Sequence, residues 1–357
     1  MLKTLTSKLA STLGVAALCA TASFAGISAA QAADVTIKVA FLGSPEDEDY
    51  DGSMVFKDYV ESRSNGKAAV EIYPSGQFCA NEKECLENLQ TGTLEVYITT
   101  IGGFGNVFGP GQVLDLPYMF ADDRTAECVF DGPFVDELRA GVLAEKIPMR
   151  LMVISNTGGW RNFANTQKTI KTPADLAGMK FRTIPAEIQQ ELVRQLGANP
   201  TAVAWPEVYT SLATGVVEGT KNGITDIMNM KFPEAGLKYI TLDGHAYMGA
   251  LWWYSDPAWQ TLPEDIRRIV FDGMEHLKTV TRAFPMRRQI EAYQAFKEQG
   301  GEIYVPSRDE KKMFQEASSG MRKWYTDKFG DVWLTKLDAA VAECTAKVDG
   351  EFAAANQ

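Results

Sequence analysis

A guanidinium at the end of a strand offers a carboxylate two parallel N–H donors, and Arg182 closes such a run, Met179-Lys180-Phe181-Arg182. Arg161 follows another strand-like stretch and the Gly158-Gly159 pair, where backbone can approach a ligand closely. Taken singly, each arginine also reads as one half of a surface ion pair. Trp205 stands before Pro206 at a helix start and reads either as a core aromatic or as a lid over a ligand. The acidic run Glu46-Asp47-Glu48-Asp49-Tyr50 follows the first strand; it either meets a cationic group on a zwitterion or faces solvent. Together these groups suit gripping an anion rather than transforming one.

Motifs for covalent chemistry are missing. Phosphate-binding Gly-x-x-x-x-Gly-Lys-Ser/Thr, metalloprotease His-Glu-x-x-His and esterase Gly-x-Ser-x-Gly patterns do not occur. Gly103, Gly105 and Gly109 have the look of a dinucleotide fingerprint, but Phe108 occupies the place of its third glycine. With only His245 and His276, catalytic triads and imidazole metal centres have little material, so no cofactor and no metal is expected. An enzymatic reading needs a titratable group beside Arg182, and Asp49, Glu187 and Tyr209 are the available candidates.

The elements that must position these residues alternate between strand and helix. Stretches 35–41 and 69–73 have strand periodicity, 54–62 and 82–90 helical spacing, and 94–100 strand character again. This β-α-β-α-β opening predicts a largely parallel sheet with helices on both faces. Further strands are expected at 149–155, 179–183 and 246–255. Thr172-Pro-Ala-Asp175 is a capping box, and Ser307 opens a helix expected to run to Gly330. A long helical stretch starts at Pro263 and reaches about residue 299, with a kink or break expected at Pro285.

Length and composition bound the rest. The chain has 357 residues, 45% hydrophobic and 23% charged, which excludes disorder and a multi-span membrane protein and favours two lobes over one. A formal charge of -11 excludes a general nucleic-acid binder. Lys3 and Lys8 precede an apolar Ala-rich run, and Ala30-Gln31-Ala32 has the small-x-small pattern of a signal-peptidase site. Residues 1–32 therefore read as a cleaved export signal, with a mature chain beginning at Ala33 in an oxidising compartment. Four cysteines remain there. Cys79 and Cys85 are close enough to pair locally, leaving Cys128 for Cys344; free buried thiols are the alternative.

The segments Asp175-Leu-Ala-Gly-Met-Lys-Phe-Arg182, Leu196-Gly-Ala-Asn-Pro-Thr201, Trp205-Pro-Glu-Val-Tyr209 and Thr214-Gly-Val-Val-Glu-Gly219-Thr-Lys-Asn222 resemble the substrate-binding proteins of TRAP (tripartite ATP-independent periplasmic) transporters, of the C4-dicarboxylate-receptor type. Tyr73-Pro-Ser-Gly-Gln77 and Leu116-Pro-Tyr-Met-Phe120 add to the likeness, which covers nearly the whole mature chain. It implies an α/β, two-lobed periplasmic binding protein fold with an interlobe cleft and a long kinked connecting helix. The expected lobes are 33–157 with about 248–285, and 158–247 with about 286–357. By position, Arg182 corresponds to the carboxylate anchor, Asn222 to a ligand-bonding amide and Arg161 to a second arginine. Trp205 and Phe104 correspond to facing aromatics and Thr100 to a polar contact, and Asp49 is a substrate-binding candidate from the acidic run, which follows the first strand where family members place ligand contacts. The implied function is a periplasmic receptor that binds a small organic acid and delivers it to a TRAP-type permease; an exported enzyme of similar fold is the alternative. Dicarboxylate, sugar acid, keto acid, sulfonate and zwitterion all remain open as ligand.

Overall fold

The computed structural model describes residues 33–356, which form one compact unit; the expected export signal lies outside the described residues. The first half opens with β1 (Val35–Ala40), α1 (Glu48–Arg63), β2 (Ala68–Tyr73), α2 (Glu82–Thr91) and β3 (Val96–Thr100), followed by α3 (Asp123–Phe130) and α4 (Pro133–Ala144). The chain continues through β4 (Met149–Asn165), β5 (Lys180–Thr183), α5 (Glu187–Gln195), β6 (Asn199–Ala202), α6 (Val208–Ala213), β7 (Gly219–Asn222) and α7 (Ile224–Asn229). Then come β8 (Tyr239–Ser255), α8 (Asp256–Thr261), α9 (Glu264–Glu298), β9 (Glu302–Tyr304), α10 (Arg308–Ala317), α11 (Gly320–Phe329) and α12 (Val332–Ala355).

All strands join one mixed sheet in the order β2-β1-β3-β8-β4-β7-β5-β6, with β9 on β8. Each flank is parallel, as the alternation of strands and helices requires, but the centre is antiparallel: β8 against β3, and β4 against both β8 and β7. The expected largely parallel sheet is corrected accordingly. Two 17-residue strands, β4 and β8, run from one flank to the other, and a strand that returns beside its predecessor must be antiparallel to it. This makes the fold two-lobed, with both lobes sharing a pair of crossing strands.

The pairing of β4 with β8 breaks where the strands pass between the flanks. Register shifts fall between Asn156 and Trp160 and between Arg161 and Phe163. Gly158 and Gly159 there have φ of +89° and +82°, a backbone state that side chains with Cβ rarely adopt. Such bulges bend a strand and re-aim its side chains, and Arg161 is the residue they re-aim.

On one face of the sheet, Ile37, Val39, Phe56, Val60, Trp252 and Met274 form an apolar core beneath α1 and α9. Gly52 lets α1 approach closely, since a Cβ at that position would lie 2.5 Å from Thr281 Cγ2. On the second flank, Val208, Ile224, Phe232 and Phe296 form a smaller core, and a third cluster runs along the opposite face through both flanks.

Three further expectations need adjustment. Helix α9 is continuous across the buried Pro285, so the break does not occur: 35 residues packed against α1 and β4 outweigh one missing backbone hydrogen bond. The helix expected from Ser307 to Gly330 is two helices, parted at Ser318-Ser319, although its Ser307 capping box is present. Finally, α12 packs on α3, to which it is tied by the Cys128–Cys344 disulfide, and Trp333 meets Phe108 and Phe134 edge-on. The C-terminal helix therefore lies against the 33–157 segment rather than the 158–247 segment. Cys79 is bonded to Cys85. Among the described residues no helix is long and apolar enough to cross a membrane.

Candidate functional site

Between the flanks lies a cavity of about 710 Å³ whose wall includes Asp49, Thr100, Arg161, Arg182, Trp205 and Asn222. Six of the seven sequence-selected residues thus meet in one place. Phe104 does not: it is wholly buried, with its ring 5.3 Å from that of Trp253 and against Gly111, and a core aromatic so enclosed has no face for a ligand. It is withdrawn from the candidate site.

Both arginines are 3% exposed, so neither forms a surface ion pair. Arg161, on the irregular part of β4, donates from Nη1 to the Lys221 carbonyl at 2.9 Å and from Nη2 to Thr100 Oγ1 at 3.5 Å. Arg182, on the short strand β5, donates from Nε to the Val203 carbonyl at 3.0 Å, while its Nη2 is buried without a protein partner. Burial, and then the like charge of Arg161, pull the Arg182 pKa down to about 9, which still leaves it protonated at neutral pH. Trp205 is half-buried with its ring 5.6 Å from that of Phe232, so it serves the core and the cleft wall at once.

Asn222 ends β7, its Oδ1 accepting from Thr220 Oγ1 at 2.7 Å and its Nδ2 donating to Asp226 Oδ2 at 3.0 Å. Asp226 belongs to the cleft wall but was missed in the sequence; its only signal was a position one helical turn past Asn222. Burial, followed by the charge of Asp47, raises its pKa to about 7. Asp47 caps α1, accepting from the Asp49 backbone N–H at 3.3 Å and from Thr157 Oγ1 at 3.4 Å. Burial also raises the carboxyls of Asp47 and Asp49, and for Asp49 the neighbouring charges of Asp47, Glu48 and Asp226 add to the effect. Of the acidic run, Asp47 and Asp49 therefore line the cleft, whereas Glu48 is buried away from its wall and Glu46 is exposed. Oxygens of Asp47, Glu48 and Asp226 lie within 4.8 Å of one another, the one grouping among the described residues with the donor set to hold a metal cation.

The groups named for an enzymatic reading do not converge. Asp49 is in the cleft, but Glu187 accepts from Lys328 Nζ at 2.8 Å in an exposed ion pair, and Tyr209 packs against the second-flank core. What the cleft offers is a desolvated cationic donor pair, an amide, an aromatic wall and a set of carboxyls. That equipment binds charged solutes.

Residues 40–327 match the family described as bacterial extracellular solute-binding protein, family 7. A C4-dicarboxylate-binding periplasmic protein of Rhodobacter capsulatus is 28% identical over 322 residues, covering 88% of this chain and 93% of that protein. A TRAP periplasmic solute-binding protein of Sulfurospirillum deleyianum with bound succinate superposes with a TM-score of 0.80 at 25% identity, covering 86% and 99% of the two chains. One from Anaerococcus prevotii with bound glucuronate gives 0.82 at 22% identity, covering 88% and 99%, and shares the fold. The chain belongs to family 7 of the bacterial extracellular solute-binding proteins, receptors rather than enzymes.

Proposed function

We propose that the chain is a periplasmic receptor that takes a small organic acid into the cleft by its carboxylate and delivers it to a TRAP-type permease. The observation carrying this reading is Arg182 Nη2, a buried charged donor on the cleft wall with no protein partner. Such a donor is costly until an anion satisfies it. Arg161, Asn222, Thr100 and Trp205 complete the carboxylate side. Export follows from the apolar run ending at Ala30-Gln31-Ala32, with cleavage leaving Ala33 first. The succinate- and glucuronate-bound relatives support the ligand class, and the transporter family of those relatives supports the permease. The lobes are assigned to 33–157 with about 248–285, and to 158–247 with about 286–331, and they close by rotation at the β4–β8 irregularities.

A thermal-shift screen of small acids against the mature chain tests the reading. A ligand that binds only the folded state raises apparent stability by about 4 kcal/mol at a thousandfold excess over Kd. Hits that vanish in Arg182→Ala support the reading; equal shifts in both proteins count against it.

A further inference from the structure

The carboxylate side of the cleft is balanced by two arginines, but the same cavity also takes in more buried acid than the protein neutralises. Asp47, Asp49 and Asp226 all belong to its wall, and all are less than a tenth exposed. Nearby donors are already committed. Arg288 Nη2 is bound to Asp51 at 2.7 Å and its Nη1 to the Glu46 carbonyl; Thr157 serves Asp47, and Asn222 serves Asp226. Asp49 Oδ1 is left buried with no partner, as Arg182 Nη2 is. One cavity therefore presents an unanswered cation donor and an unanswered carboxylate oxygen.

We infer that the ligand is a zwitterion, a small carboxylic acid that also carries a cationic nitrogen, with its carboxylate on Arg182 and its nitrogen at Asp49. This rests on reading the cleft as an organic-acid site and narrows that reading. An organic cation fits better than a metal ion for two reasons. Asp49 faces the cavity but is outside the metal-compatible trio of Asp47, Glu48 and Asp226, and Glu48 of that trio is not on the cavity wall. The cavity wall also includes the aromatic residues Phe41 and Tyr97, the latter near enough to Asp49 to feel its charge, and an aromatic ring beside a carboxylate suits an alkylated nitrogen. A dicarboxylate would place its second negative charge against Asp49 or Asp226, where it meets either a like charge in a desolvated site or a carboxyl that must hold its proton to accept it, whereas a cation favours the ionised form of both.

Matched isosteres test this by calorimetry on the mature chain: glycine betaine against 3,3-dimethylbutanoate, and 5-aminopentanoate against hexanoate, with succinate and galactonate alongside. The cationic member of a pair should bind about 10- to 100-fold tighter, the range expected for one charged hydrogen bond or ion pair. Asp49→Asn should bring the affinities of the two members of each pair to within about twofold of one another, and Asp49→Glu should partly retain the preference; thermal melts establish that each variant is folded. Tighter binding of succinate or galactonate, insensitive to Asp49→Asn, would overturn the inference and leave the organic-acid reading standing. Anion binding that appears only with added sodium or calcium and is lost in Asp226→Asn would assign the positive charge to a metal and also overturn it. If Arg182→Ala leaves every affinity unchanged, the organic-acid reading itself fails.

Discussion

The guanidinium of Arg182 lies 5.3 Å from the centroid of the Trp205 ring, so the cationic anchor and the aromatic wall of the cleft form one unit. A ring over a guanidinium stabilises the charge and also fixes the plane in which its N–H groups point. Trp205 therefore orients the anchor in addition to covering the ligand. Trp205→Ala should weaken ligand binding by about 1 to 3 kcal/mol through lost apolar contact and a freed guanidinium. Trp205→Phe should lose less. Titration calorimetry on both variants reads this directly; a lower melting temperature with unchanged affinity would make Trp205 a core residue only.

Asp226 gives the ligand-free protein a definite pH dependence. Its folded pKa, about 7, is above the ordinary 3.8, so between these values the folded state binds more protons than the unfolded one. Stability contributed by this group is therefore greatest below about pH 4, falls as pH rises to 7 and is level beyond. The raised carboxyls of Asp47 and Asp49 act in the same direction. Asp226→Asn should accordingly raise stability at pH 8, on the order of 2 kcal/mol, with little gain at pH 4. Melting curves of both proteins from pH 4 to 9 check the sign, which a stabilisation confined to acid pH would reverse.

The two disulfides should differ in weight. Cys128–Cys344 closes a loop across 216 positions and Cys79–Cys85 one across 6. By the chain-entropy account the long loop is worth about 5 kcal/mol and the short one about 2. Denaturant unfolding of the paired Cys→Ala variants should show that order. Removal of Cys128–Cys344 should also loosen α12, visible as faster amide exchange along residues 332–355, and equal costs for the two bonds would contradict the loop argument.

Ligand-driven closure should act through the β4–β8 irregularities. Gly158 and Gly159 adopt φ values open to few other residues, and a Cβ on Gly158 would lie 2.8 Å from Asp226 Oδ2, so bend and binding site touch. Contacts made only in the closed form supply the free energy for the change. Small-angle scattering should show a smaller radius of gyration on addition of a confirmed ligand. No change in the radius or in distances between spin labels on the two flanks would argue for a rigid cleft.

The parts legible in the sequence were those fixed by local chemistry. Periodicity placed β1, α1, β2, α2 and β3, and the Thr172 and Ser307 capping boxes placed their turns, because these depend on neighbouring residues alone. The extent of β4 and β8 was not legible: past Asn156 the strand pattern is interrupted by Gly158-Gly159, and only pairing across the sheet shows that the strand continues. Residue type and place at a strand end brought Arg182 and Arg161 forward and resemblance added Asn222, whereas Phe104, also added by resemblance, has the right residue type but is sealed in the core by Trp253 and Gly111. Asp226 escaped notice because its importance comes from long-range proximity to Asp47, which carries no sequence period.

Arg182 carries the central claim, and calorimetry of Arg182→Lys and Arg182→Ala with a confirmed ligand tests it most directly. Lysine keeps the charge but loses the planar fork, the Val203 contact and the guanidinium–ring contact with Trp205. Both variants should therefore lose about 2 to 5 kcal/mol of binding while remaining folded, with lysine recovering little of the loss. Wild-type affinity in Arg182→Ala would contradict the account.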